Sequence, residues 1–197
     1  MSNRNATVKR TTRETEIELS LNLDGRGTAE ADTGVGFLDH MLDHLAKHSL
    51  SDLAVACKGD VEVDDHHSVE DIAIALGEAL AEALGDKAGI RRYGCASVPM
   101  DEALATATLD ISGRATLVFD APLSSGKIGQ FDAQLIEEFL RALVRSARVT
   151  LHVQVPYGSN DHHIAEAVFK AVAQALRQAK AIDPDRVGEI PSTKGVL

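Results

Sequence analysis

Asp65-His66-His67-Ser68-Val69-Glu70 leads into the apolar run from Asp71 to Leu80, and the pattern returns later in the same chain. There it reads Asp161-His162-His163-Ile164-Ala165-Glu166 and leads into the run from Ala167 to Leu176, at an offset of 96 residues. A DHHxxE group opening a helical apolar run twice marks an internal duplication. The match continues upstream. Phe37-Leu38-Asp39-His40-Met41-Leu42-Asp43-His44-Leu45 aligns with Leu135-Ile136-Glu137-Glu138-Phe139-Leu140-Arg141-Ala142-Leu143, apolar position on apolar position. Earlier still, Leu23-Asp24-Gly25-Arg26 echoes Ile111-Ser112-Gly113-Arg114. The chain therefore reads as two halves, 1–95 and 96–197, joined into one compact unit without a low-complexity linker.

The order expected in each half is strand, turn, strand, helix, strand, helix. Thr15–Leu23 alternates with Ile17, Leu19, Leu21 and Leu23 on one side, the period of a half-buried strand, and Asp24-Gly25 reads as a hairpin turn. Phe37–His48 carries apolar residues at helical spacing, Leu53–Val63 reads as a strand, and Ser68–Leu84 as an Ala-rich helix ending near Gly85. The second half predicts strands at 103–111, 115–119 and 149–155, with helices at 135–146 and 164–180. The fold class expected is α+β, in two duplicated halves. Each is a mixed sheet with helices packed on one face, and the two are related by a pseudo-twofold.

Composition narrows the function. The chain has 197 residues, is 44% hydrophobic and 25% charged, and carries a net charge of −10, which fits a folded domain rather than a disordered one. Acidity, only 4% aromatics and no Trp argue against a general nucleic-acid binder. No apolar run approaches the roughly 18 residues of a membrane span. The start, Met1-Ser2-Asn3-Arg4-Asn5, is polar with no signal-like stretch behind it, so the cytoplasm is the expected address. Cys57 and Cys95 form no CxxC and read as buried, inert thiols.

Histidine is the informative residue. Seven of the eight fall into three groups: His40-His44-His48, His66-His67 and His162-His163. On a helix, i and i+4 or i+3 share a face, so Glu70 joins His66 or His67, and Glu166 joins His162 or His163. Adjacent histidines diverge by about 100°, so each helix start feeds two different metals rather than one. The repeat adds His40 and Glu138 as matching upstream ligands. The metal-ligand pool is then His40, His66, His67, Glu70, Glu138, His162, His163 and Glu166. Imidazole plus carboxylate without thiolate suits Mn, Fe, Co, Ni or Zn. His44 and His48, one and two turns beyond His40, read as solvent-exposed or supporting residues, and His152 as a satisfied structural histidine.

Some cations stand out against the acidic background: Arg91-Arg92 after a helix and a Gly, Arg114 in a Gly turn, Lys170 one turn after Glu166, and the tail Ser192-Thr193-Lys194-Gly195. Such a set of cations and hydroxyls suits a phosphate or carboxylate, although spacing alone does not bring it together.

The segments Gly36–Leu45, Asp65–Asp71, Asn160–Glu166 and Pro191–Gly195 resemble the imidazoleglycerol-phosphate dehydratase family, over nearly the whole chain from Arg13-Glu14-Thr15 to the tail. The resemblance implies a lyase of histidine biosynthesis that converts imidazole-glycerol phosphate to imidazole-acetol phosphate. It implies two Mn ions per site and an assembly of twenty-four subunits built from trimers, with sites at subunit contacts. One metal would take His40, His67, His162 and Glu166; the other would take His66, Glu70, Glu138 and His163. The repeat exchanges these two sets. Substrate would meet Glu14, His40, His48, His66, Glu70 and His162, with its phosphate on Arg92, Arg114, Lys170, Ser192 and Lys194. Glu14, Glu70 and Glu166 are the catalytic candidates, Glu14 as acid/base; Asp101 and Glu102 are also of interest. Many relatives carry His where this chain has Glu138, and His152 or Glu137 are alternative ligands there. The expected mechanism runs through a metal-bound imidazolate and a diazafulvene-like intermediate, since the proton to be lost is not acidic and an electron-rich ring helps expel hydroxide. Two other readings stay open: a di-metal phosphate-ester hydrolase, and a metal-assembled storage shell.

Overall fold

The computed structural model describes residues 4–197. Three strands, β1 (Asn5–Thr11), β2 (Thr15–Asn22) and β3 (Ala29–Asp32), lead into helix α1 (Gly36–Ser49), strand β4 (Asp52–Gly59) and helix α2 (His66–Leu84). The second half follows the same plan with β5 (Tyr93–Met100), β6 (Ala103–Asp110), β7 (Thr116–Asp120), α3 (Leu135–Ala147), β10 (Thr150–Tyr157) and α4 (Asp161–Lys180). A small hairpin, β8 (Lys127–Ile128) with β9 (Phe131–Asp132), comes between β7 and α3.

Two four-stranded mixed sheets result, ordered β1-β2-β4-β3 and β5-β6-β10-β7. Their registers repeat. Ile17 pairs with Cys57 and Leu19 with Val55 in the first sheet; Ala105–Leu109 occupy the places of Ile17–Leu21, and Leu109 pairs with Leu151 as Leu21 pairs with Leu53. The repeat offset is 88 through the first three strands (Leu21 to Leu109), 98 through the first helix and the strand after it (Leu53 to Leu151), and 96 in the second helix (His66 to His162). The jump from the first value to the second falls in the segment that holds β8 and β9, so the second half carries an insertion that the first lacks.

The helices lie on the inner face of each sheet. The β2 pattern puts Thr15, Ile17, Leu19 and Leu21 inward, and β6 does the same with Ala103, Ala105, Ala107 and Leu109. Helix α2 packs on β1 and β2, α4 on β5 and β6, and across the interface α1 meets α4 while α2 meets α3. The α2–α3 crossing is close because Gly77 has no side chain: a Cβ there would come within 2.6 Å of Ser146 Cβ. Fully buried side chains such as Phe139, Phe169, Leu42 and Ile72 form one shared core, each contributing about 1.5–3 kcal/mol by leaving water. A small apolar cavity of about 40 Å³ marks the junction. Leu21 and Leu109, Leu45 and Leu143, Leu53 and Leu151, and Leu80 and Leu176 line it as repeat pairs, so it sits where the pseudo-twofold passes.

Four local expectations need correction. Asp24-Gly25 does not close a hairpin, because β2 and β3 pair with β4 on opposite sides rather than with each other. The turn wraps the start of β4 instead. Asp52 accepts from Arg26 N, Thr28 N and Thr28 Oγ, and a Cβ on Gly25 would lie 2.3 Å from Asp52 N. The strand expected to reach Val63 stops at Gly59, where the chain turns through 60–63. Cys95 is exposed on the outer face of the second sheet, where Thr108 Oγ1 donates to its sulfur at 3.4 Å; Cys57 is partly buried. His152 lies on that same outer face, exposed, and no side-chain hydrogen bond to its ring occurs among the described residues.

Candidate metal centre and active site

Both DHHxxE groups begin a helix, and in both the adjacent rings diverge. His66 and His67 stand 6.3 Å apart at 80°, and His162 and His163 stand 6.2 Å apart at 84°. The helix starts are tied down locally. Asp64 Oδ1 accepts from His66 N, and Asn160 Oδ1 accepts from His162 N and His163 N.

Where α1 packs on α4, three of the nominated ligands come together. His40, His162 and Glu166 each offer a donor atom, all within 4.8 Å of one another, and they form the one such group among the described residues. Glu166 Oε2 is 3.3 Å from His162 Nε2 and 3.9 Å from His40 Nε2. Its side chain is only 8% exposed, which without a partner would be costly for a charge. Burial pushes the Glu166 carboxyl up, but the Lys170 ammonium and His44 outweigh it and hold it below the usual range. Two imidazoles and a shielded carboxylate at this separation are a donor set that fits a borderline divalent metal.

His44 is part of this group rather than a bystander. Its Nε2 lies 3.1 Å from Glu166 Oε1 and 3.3 Å from His40 Nε2, and burial lowers its pKa to about 4. His48 stacks on His44 at 5.7 Å, and burial lowers its pKa too. A cleft of about 590 Å³ opens beside His40 and His162. Phe37 and Phe131 wall it, with ring centroids 5.0 Å apart, and Phe37 meets His162 edge-on at 5.3 Å. Phe131 comes from β9, so the insertion found only in the second half shapes this cleft.

His67 is not brought to His40 within the chain. Its Nδ1 faces Asp60 at 3.0 Å and its Nε2 lies 3.7 Å from Glu14 Oε1. His163 has a similar pair: Nδ1 to Glu102 at 2.6 Å, and Nε2 to Asp101 at 3.7 Å. The hydrogen bonds to Asp60 and to Glu102 raise the pKa of His67 and His163, respectively. Glu102 is held at about 2 by His163, helped by the backbone N–H groups of Ser159 and Asn160. His66, Glu70 and Glu138, the repeat counterparts of His162, Glu166 and His40, form no comparable group among the described residues. Glu138 instead lies 4.0 Å from Arg141 Nε. Of the alternatives, Glu137 is paired with Arg141, and His152 is on the far face of a sheet.

The nominated anion-binding residues divide in two. Lys170 sits on Glu166 and Met100 Sδ, at the metal-type group. Arg92 is at the other end of β5: its Nε donates to Asp110 at 2.7 Å, its Nη1 donates to Pro191 O at 2.8 Å, and its guanidinium lies over Tyr93. Arg114 approaches the same Asp110 at 3.9 Å with most of its side chain exposed. Through Pro191 the tail with Ser192 and Lys194 is anchored here, where Ser192 Oγ accepts from Lys194 N. Arg92 precedes the eight-residue strand β5 and Asp101-Glu102 follows it, so the two sets are separated by roughly 25 Å at about 3.3 Å per residue.

Reasoning from sequence missed Asp60 and the two phenylalanines and underrated His44. His44 carried a signal in its one-turn spacing from His40. Asp60 carried none, because a loop residue's aim is fixed only by the fold.

Fold and site define a class: a duplicated α+β protein with an imidazole–carboxylate group at a helix start. The model for the family "Imidazoleglycerol-phosphate dehydratase" matches residues 33–176. Curated proteins of that name from Rhodopseudomonas palustris (strain BisB5) and Dinoroseobacter shibae are 55% and 56% identical over 194 residues. Those alignments cover 98% of this chain in both cases, and 98% and 100% of the relatives. The crystal structure of the Staphylococcus aureus imidazoleglycerol-phosphate dehydratase superposes with a TM-score of 0.83 at 42% identity, covering 91% of this chain and 99% of that one. The Pyrococcus furiosus structure gives 0.83 at 37%, covering 96% and 100%. The chain belongs to the imidazoleglycerol-phosphate dehydratase family, a family of hydro-lyases.

Proposed function

We propose that this chain dehydrates imidazole-glycerol phosphate to imidazole-acetol phosphate in histidine biosynthesis, as a cytoplasmic, manganese-dependent homo-oligomer. The observation that carries the metal reading is the meeting of His40, His162 and Glu166 around one point beside an aromatic-walled cleft. One metal would be held by His40, His162 and Glu166 with His67, the other by His66, Glu70, Glu138 and His163. His67 is turned away from His40, and the Arg92 set lies a strand's length from His163. A complete site therefore draws on more than one copy of the chain, in keeping with twenty-four subunits built from trimers.

Bound metal would supply Lewis acidity, making the deprotonated substrate ring accessible near neutral pH. The chain's own residues do the rest. Arg92, Arg114, Lys170, Ser192 and Lys194 would hold the phosphate and so fix the carbon chain. The hydroxyl leaves from the carbon beside the ring, and a proton leaves from the next carbon. Glu14, on the tight turn between β1 and β2, is the base for that proton. The resulting enol takes a proton on the ring-side carbon and becomes the ketone, for a net loss of one water. Incubating the Mn-loaded protein with imidazole-glycerol phosphate tests the reading. Ketone without free phosphate is expected; free phosphate would favour a hydrolase, and no turnover would favour a storage shell.

A further inference from the structure

His67 and His163 are repeat equivalents, and each is gripped by two carboxylates in the same way. One carboxylate is at hydrogen-bond distance from Nδ1, Asp60 at 3.0 Å or Glu102 at 2.6 Å. A second stands 3.7 Å from Nε2, Glu14 or Asp101. The acids are not repeat equivalents. By strand register Glu14 corresponds to Glu102, since Thr11 pairs with Glu16 across the first turn as Pro99 pairs with Leu104 across the second. Asp60, just after β4, corresponds to Gly158, just after β10. The second half lacks a carboxylate at the Asp60 position, and Glu102 reaches the same ring nitrogen from the other side.

An ionised carboxylate only accepts, so the nitrogen it faces carries the proton. At 3.7 Å the other carboxylate is too far to hydrogen bond, which leaves the Nε2 lone pair open. We infer that Asp60 and Glu102 are positioning residues, each fixing the tautomer and aim of its histidine so that Nε2 is the atom offered to a divalent cation. This rests on the reading of His67 and His163 as metal ligands. Partners of this kind behind a ligating histidine orient the ring and raise its basicity, and their loss costs about 10–100-fold in metal affinity.

Asp60 gives the cleaner test, because His67 is its side chain's hydrogen-bond partner. Glu102 also accepts from Ser159 N, Ser159 Oγ and Asn160 N and so holds the start of α4. The experiment compares wild type, Asp60→Ala, Asp60→Asn and Glu102→Gln as full-length protein. Calorimetry with Mn²⁺ gives affinity, and solid-state ¹⁵N spectra of histidine-labelled, metal-free protein at alkaline pH give the tautomer. For Asp60→Ala we expect an affinity loss of about 10–100-fold and a His67 signal shifted from the Nδ1–H to the Nε2–H form. Asp60→Asn, which keeps an acceptor oxygen, should recover part of both. Unchanged affinity or an unchanged tautomer in Asp60→Ala, with wild type binding Mn²⁺ normally, overturns the positioning role alone. A wild type that binds no Mn²⁺ overturns the ligand reading beneath it as well.

Discussion

Glu14 and Glu102 occupy the same register position in the two repeats, yet they meet opposite nitrogens of their histidines. Glu14 stands 3.7 Å from His67 Nε2, whereas Glu102 is 2.6 Å from His163 Nδ1. The duplication therefore supplied two scaffolds rather than two copies of one site. Glu102 is tied to Ser159 and Asn160, while the Glu14 carboxylate is half-exposed and has this histidine as its one ion-pair partner among the described residues. That freedom is what an acid/base needs.

Glu14→Gln should accordingly spare folding, metal content and assembly while lowering kcat by about 10²–10⁴-fold. Steady-state kinetics alongside metal analysis checks this, and normal turnover would end the acid/base role.

Glu166→Gln tests the metal-type group directly. The change removes the charge that His40, His162 and Lys170 share, in a side chain that is nearly buried. Manganese affinity should fall by more than about tenfold, measured by calorimetry and by metal content after gel filtration. Retained stoichiometry would remove Glu166 from the ligand set.

Much of this was legible in the residues, and the failures have physical causes. The apolar periodicity of Ser68–Leu84 and Ile164–Lys180 located α2 and α4, because burial against a sheet demands that spacing. Strands β1 and β5 escaped notice: they are edge strands with few buried positions, and half of each faces outward with polar or small residues. Asp24-Gly25 misled because a turn dipeptide says that the chain reverses, not which strand it returns to. In the site, the DHHxxE repeats gave the ligand types, but not that His40 would find Glu166 while Glu138 would lie near Arg141. Such choices depend on helix packing across the interface. The Asp60–His67 contact depends on a loop and leaves no periodic trace.

Lys180 offers a test of the junction between halves. It is buried at the end of α4, and its ammonium donates to Leu23 O, to Leu50 O at 3.1 Å and to Ser51 Oγ at 2.9 Å, thereby closing the C-terminus of α1. Lys180→Met leaves these acceptors without a donor and should cost about 1–3 kcal/mol in chemical denaturation. Burial also lowers the Lys180 pKa from 10.5 to about 8. Between those values the unfolded chain holds a proton that the folded chain has released, so wild-type stability rises with pH across that window. The gap between wild type and variant should widen there by up to about 1.4 kcal/mol per pH unit. A gap that stays level from pH 8 to 10.5 would show that the ammonium is not desolvated.

Removing metal should change the size of the particle. His67 is turned away from His40 and toward Asp60 and Glu14, and the Arg92–Asp110–Pro191 cluster sits at the opposite end of β5 from His163. If a site takes ligands from neighbouring copies, each metal is also a cross-link between chains, and its binding energy contributes to assembly. Treatment with a chelator should then lower the light-scattering mass toward smaller oligomers, and added Mn²⁺ should restore it. Mutating His67 to Asn should reproduce the smaller species even with metal present, because its copy of the cross-link is gone. A mass that holds constant through chelation, with metal loss verified on the same sample, would mean that the subunits are held by their protein surfaces alone.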